Sequence, residues 1–257
     1  MINHIIKYRW FWLLFPVLLF TSFFSFGKNL VDFATTALII YLLGLLFVYN
    51  KGRWIALFVL SLLPTITSSF LAEAHHPNAT QSISIFFLIF FVALFISYFI
   101  ARKPEIIPKI SFKQFPIVKI IIGFFCILIL SYLTGIVGQV THSATTENQA
   151  ALNQLETSIP FVIFAFQVIF AGFFEELTYR VGIFEIVFAK HPKLAFITAT
   201  VLFAFMHGPT DLYSWLTYGL MSLTLTIFYA KYRNFYLNMS IHILWNMFGL
   251  FLPLLLK

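Results

Sequence analysis

Charge is what this chain has least of. Only 10% of its 257 residues are Asp, Glu, Lys or Arg, against about 25% in a soluble domain, so a water-soluble globule is excluded. It holds one cysteine, Cys126, which rules out an intrachain disulfide framework or a cysteine-based zinc site. Cys126 lies mid-run among apolar residues and reads as packing. There is no repeat of fixed period, no low-complexity tail and no stretch polar enough for a soluble domain. The formal charge of +7 forms no basic face, because the basic residues stand between apolar runs. That excludes a nucleic-acid partner. Lys7 and Arg9 precede a bulky aromatic run with no small-residue cleavage site behind it, so the run is expected to be a retained anchor.

What the chain has instead is apolar length. Hydrophobic residues make up 61%, with 35 Phe. A membrane span needs roughly 20 apolar residues, and runs near that length fall at 10–26, 30–49, 54–74, 83–101, 117–137, 159–189, 194–207, 212–230 and 235–256. The expected fold is all-α: a polytopic membrane helical bundle of about eight or nine spanning segments, as one transmembrane domain over 1–257. Lipid obliges each span to satisfy its own backbone, and the runs lack the alternation of a barrel strand.

The charges order these spans. With the N-terminus cytoplasmic, the inner loops hold Lys51, Arg53, Arg102, Lys103, Lys109, Lys113, Lys190, Lys193, Lys231 and Arg233. The outer side holds Lys28 and the terminal Lys257, while the outer stretches 75–82 and 138–158 carry no Lys or Arg. This is the positive-inside pattern, and it implies a multi-pass cell-membrane protein with the bilayer as its constant partner. The polar stretch 138–158 reads as a loop, and 102–116, with three prolines, as a basic inner linker. No feature assigns an oligomeric state.

Ionisable residues inside spans cost roughly 2.5–3.5 kcal/mol each on insertion scales, which makes them functional candidates. They gather in the last third: Glu175, Glu176, Arg180 and Glu185, then His207, then His242 with Asn246. Glu176 and Arg180 stand four apart on a helix, acid first, the favourable order for a pair. Glu175 is one step round the helix from Glu176, so the two acids cannot share one direction, and one can pair with Arg180 while the other faces a cavity. His242 and Asn246 share one helical face. Glu175 and His207 lie almost equally far from the basic turn at 190–193, which sets them at matching depth in an antiparallel pair. Glu185 is near an inner turn and reads as structural. A carboxylate in a low-dielectric cavity suits a general base, an imidazole can orient water or pass protons, and a His–Asn pair can donate to an oxyanion.

Three short patterns carry a resemblance. Glu175-Glu176-Leu177-Thr178-Tyr179-Arg180 looks like the E-E-x-x-x-R motif of the CPBP (Abi) intramembrane proteases, which include the type II CAAX prenyl endopeptidases. The stretch from Phe203 to His207 is similar to their F-x-x-x-H motif, and that from His242 to Asn246 to their H-x-x-x-N motif. The resemblance makes 158–257 the CPBP-like catalytic core and 1–157 spans without catalytic motifs. It implies an intramembrane endopeptidase in which Glu175 is the base and His207 helps activate water. His242 and Asn246 would form the oxyanion site. Glu176, Arg180 and Phe203 would support the architecture or contact substrate. It also implies a bundle around a hydrophilic cavity opening to the cytosolic side, a peptide or protein substrate in the membrane, and roles such as bacteriocin self-immunity or peptide-signal processing. No cofactor is expected. The alternatives are a zinc-dependent metallopeptidase built on the His and Glu side chains, a proton-coupled transporter, and a non-enzymatic immunity or binding protein.

Overall fold

The computed structural model describes residues 51–74, 78–103, 105–143 and 145–255. The expected spans at 10–26 and 30–49 lie outside them. The chain falls into two compact units, 1–56 and 57–257. Of the first, the described part is little more than the opening turn of a helix.

The second unit is all helix; no strand occurs among the described residues. Its elements are α1 (Gly52–Glu73, begun in the first unit), α2 (Ala79–Arg102), α3 (Ile117–Val140), α4 (Glu147–Ser158), α5 (Phe161–Glu175), a π-helical segment π1 (Glu176–Val187), α6 (Pro192–Met206), α7 (Leu212–Tyr232) and α8 (Phe235–Leu255). Five helices among the described residues are long and apolar enough to cross a membrane: α1, α2, α3 with its short lead-in, α5 running on into π1, and α8. The chain is a multi-pass membrane protein.

Burial ranks these helices. In α1, α2 and α3 only 22% of the spanning window is buried, whereas in α5–π1 it is 56%. The first three therefore form an outer wall, with Phe70, Leu88, Phe99 and Ile129 facing outward. The α5–π1 rod runs through the centre. A seam of Ile120 and Ile127 from α3, Leu225 from α7, and Leu237 and Ile241 from α8 closes the core beside it.

One expectation needs correction. The stretch 138–158 is not all loop, because α4 fills most of it. Thr146 caps that helix by accepting from the Gln149 amide at 3.1 Å, and Glu147 in the first turn suits the helix dipole. Polarity disguised a well-capped helix. The runs at 194–207 and 212–230 are helices, but neither α6 nor α7 is among the five span-grade elements. The 15 residues of α6 rise only ~22 Å, short of the ~30 Å hydrocarbon core. Helix α7 is long enough but turns Ser222, Thr224 and Thr226 into the protein.

The two ends of the bundle are tied differently. At the basic end, Arg233 pairs with Glu185 at 2.7 Å. There Asn234 Nδ2 donates to the Gln114 carbonyl at 3.0 Å, and Tyr236 Oη donates to the Pro108 carbonyl at 2.9 Å. At the other end, Ser143 Oγ donates to Asp211 at 2.8 Å. Asp211 in turn caps α7 in a reciprocal box with Ser214.

Candidate active site

The site starts from a change of winding in the central helix. After Glu175 the hydrogen bonds lengthen their reach, and Phe188 N donates to the Ile183 carbonyl at 2.9 Å, five residues back. Wide π turns of this kind often mark functional positions. Residues 176–184 are all buried, so what the sequence offers as one more apolar span is the innermost rod of the fold.

Glu175 and Glu176 leave this rod in different directions. Glu176 is fully buried and held from three sides. Arg180 Nη1 donates to its Oε1 at 2.9 Å, His242 Nδ1 lies 3.0 Å from the same oxygen, and Asn238 Nδ2 donates to Oε2 at 3.0 Å. Arg180, also fully buried, reaches on to the Ser222 carbonyl and hydroxyl at 3.2 Å each. Its guanidinium lies 4.3 Å from the Phe203 ring centre, a cation–π contact in a dry setting. This cluster is a cage: two buried opposite charges, each given further hydrogen bonds, with only Nε of the Arg180 guanidinium left without one among the described residues.

Glu175 is 24% exposed and faces the other way, its Oε2 at 3.5 Å from His242 Nε2. His242 thus stands between the two acids. The Glu176 carboxylate at Nδ1 fixes the proton there and turns Nε2 toward Glu175. Gly172 makes this possible. A Cβ there would stand 3.1 Å from His242 Cβ and Cγ and from the Ile243 amide, so only glycine lets α8 come this close to α5.

His207 ends α6. Its Nδ1 bonds the Phe203 carbonyl at 2.7 Å, which leaves Nε2 of the neutral ring as an acceptor. The ring stacks on Tyr218 at 4.5 Å between centres and lies against Phe203 at 4.5 Å. The next residue, Gly208, has φ +60, a left-handed turn that glycine enters freely. That turn ends the helix at His207. Asn246 Nδ2 donates to the Val168 carbonyl at 2.8 Å, leaving its second hydrogen uncommitted.

Glu175, His207, His242 and Asn246 all line one cavity of about 580 Å3. Glu176, Arg180 and Phe203 do not line it and form the wall behind. The cavity runs from Glu175 to α4 and the residues just before it, where Thr145 and Gln149 are exposed. It lies toward the end of the bundle opposite the basic turns at Lys190, Lys193, Lys231 and Arg233. Sequence reasoning missed Asn238, although it stands four residues before His242, the same interval that marks Asn246. It also missed Ser222 as the acceptor for Arg180, and Tyr218. The Tyr218 hydroxyl is within 2.7 Å of Thr146 Oγ1 and accepts from Asn148 at 3.2 Å, so the cap of α4 is joined to the ring that stacks on His207. Among the described residues no group of three His, Cys, Asp or Glu is placed to hold a metal ion.

The fold and site together define a polytopic helical membrane protein with a glutamate–histidine centre sunk among its spans. Residues 157–248 match the model of the type II CAAX prenyl endopeptidase Rce1-like family. Over 252 residues the chain is 52% identical to the UPF0177 protein YvdC of Lactococcus lactis subsp. lactis (strain IL1403), covering 98% of this chain and 96% of that one. No solved structure matches the chain. The chain belongs to the Rce1-like, CPBP family of membrane proteins.

Proposed function

We propose that the protein is an intramembrane endopeptidase that hydrolyses membrane-associated peptides or proteins with a water activated by Glu175. The observation that carries this reading is the shared cavity: a partly exposed carboxylate, two imidazoles and an amide meet there, while a second carboxylate is locked in the wall. Glu175 takes a proton from water as the oxygen bonds the scissile carbonyl carbon. His207 Nε2, its ring held by Phe203 and Tyr218, accepts from the same water and orients it. The second hydrogen of Asn246 Nδ2 donates to the oxyanion, and His242, its Nδ1 proton held by Glu176, joins it from Nε2 as the doubly protonated imidazolium. Collapse breaks the C–N bond, and Glu175 returns the proton to the departing amine. Glu176 and Arg180 act by holding His242 and touch no substrate.

The expected His242–Asn246 oxyanion pair is modified in one respect. In the resting arrangement both ring nitrogens of His242 face carboxylates, so His242 also orients Glu175. No metal is needed for these steps. Self-immunity against bacteriocins and peptide-signal processing are two roles such chemistry would serve in a cell membrane.

The test compares membranes from cells with wild type, Glu175→Gln and His207→Ala by mass spectrometry of membrane peptides. One cleavage product lost in both variants is expected. Full biological activity in Glu175→Gln would end the peptidase reading. Cleavage by the purified protein is expected to persist in a chelator that strips zinc, and its loss, restored by zinc, would favour the metallopeptidase alternative.

A further inference from the structure

The cavity continues past Glu175 along the crossing of α5 and α8. On α5 it is lined by Phe164, Gln167, Val168, Ala171 and Glu175, positions that share one face of a helix. Opposite them on α8 stand His242, Asn246 and Gly249, again one face. The two helices run antiparallel here: Gly172 meets His242, and the Val168 carbonyl accepts from Asn246. Gln167 is therefore about level with the turn that runs from Asn246 to Gly249. A Cβ at Gly249 would meet nothing within 4 Å, so the trough has room beside Gln167 for a chain to pass.

Gln167 is only 7% exposed, and its Oε1 is buried with no hydrogen-bond partner among the described residues. Buried side-chain oxygens are mostly paired, because an unpaired one has given up its bond to water for nothing. The steps of hydrolysis proposed above make no use of this group. Its last torsion is soft, so a small turn brings Oε1 to the cavity that the side chain lines. A primary amide carries both an acceptor and donors, and a peptide unit carries one of each. Gln167 stands eight residues before Glu175, ~12 Å along the helix. An extended chain covers that distance in about three or four residues.

We infer that Gln167 forms a subsite for the main chain of an extended peptide, its Oε1 accepting the N–H of a residue three or four positions from the bond that is cut. This rests on the peptidase reading. It sets a requirement that side chains do not: the residue held at Gln167 needs an N–H, which proline lacks.

The test uses the full-length protein in detergent and a synthetic peptide spanning the cut whose product is lost in Glu175→Gln. The peptide carries a single N-methyl group, placed at each residue in turn on either side of the cut. With wild type, methylation at one residue three or four positions from the cut is expected to raise KM about tenfold, as the loss of one hydrogen bond would. The kcat should not change. Gln167→Met keeps the unbranched shape and lacks the amide. It should show the same rise in KM with the unmethylated peptide, and methylation at that residue should add nothing further. Without peptide, Gln167→Met should melt above wild type, because it removes an unpaired buried oxygen. Additive losses, or a wild type indifferent to methylation at that distance, overturn the inference. So does a Gln167→Met that melts below wild type, since Oε1 would then be satisfied in the resting protein. A peptide cut by wild type and by Gln167→Met with equal KM sinks this inference alone. No product lost in Glu175→Gln sinks the peptidase reading, and this inference with it.

Discussion

Two Glu–Arg pairs in this protein have like chemistry and unlike worth, and burial separates them. Glu176–Arg180 is wholly enclosed, whereas Arg233 is 43% exposed and its partner Glu185 29%. Removing one partner of a buried pair leaves an uncompensated charge, at about 3–5 kcal/mol. Glu176→Gln should therefore lower the unfolding midpoint strongly in detergent, while Arg233→Ala should cost no more than about 1 kcal/mol. If the two variants melted alike, the cage would not be as closed as its contacts indicate. Asn238→Leu removes the donor to Glu176 Oε2 and to the Leu225 carbonyl, an expected loss of about 1–3 kcal/mol. Its cleavage rate should fall too, because Glu176 then holds His242 less firmly. At this scale the sequence made the Glu176–Arg180 pairing readable, since four-residue spacing on a helix is a local fact. Asn238 and Ser222 were unreadable as partners, because they lie 62 and 42 residues from the groups they satisfy.

Among the elements, the α5–α8 crossing is the sensitive one. With Gly172 against the Cβ of His242 and the backbone of Ile243, neither neighbour can swing aside. Gly172→Ala should displace α8 by a few tenths of an ångström and slow cleavage, and Gly172→Val should do so more severely. Unchanged rates for both would mean that the two helices separate without cost. The cap of α7 makes a different prediction. Hydrogen bonds from the Ser214 side chain and amide, and then from Ser143, hold the Asp211 carboxyl below its usual range. A carboxyl whose folded pKa is depressed contributes stability above its unfolded value and loses it as pH falls through the folded one. Asp211→Ala should thus melt below wild type at neutral pH, and the gap should close in acid. A gap independent of pH would place the effect in the backbone alone. The apolar runs made the spans of this unit legible. They hid the wide winding of π1, because i→i+5 bonding leaves no mark in hydropathy. They also hid α4, whose cap was readable only with attention to Thr146 and Glu147.

For the whole molecule, the question is how far the matched stretch 157–248 stands alone. It holds every motif, but Ile120 and Ile127 of α3 complete the core seam and Asn148 of α4 lines the cavity. A fragment of 157–257 should therefore fail to give a monodisperse protein in detergent, and co-expression with 1–156 should restore it. A well-behaved, active fragment would show the earlier spans to be packaging. By itself, the sequence determined that this chain is a helical membrane protein, with its basic loops on one side and its ionisable residues in the last third. Those properties follow from transfer free energies and helical spacing, which act locally along the chain. Only the tertiary structure decided which acid faces the cavity and which is caged, that His242 stands between them, and toward which end the cavity lies. Those choices depend on contacts between helices far apart in the chain, whose relative rotation and depth no single helix specifies.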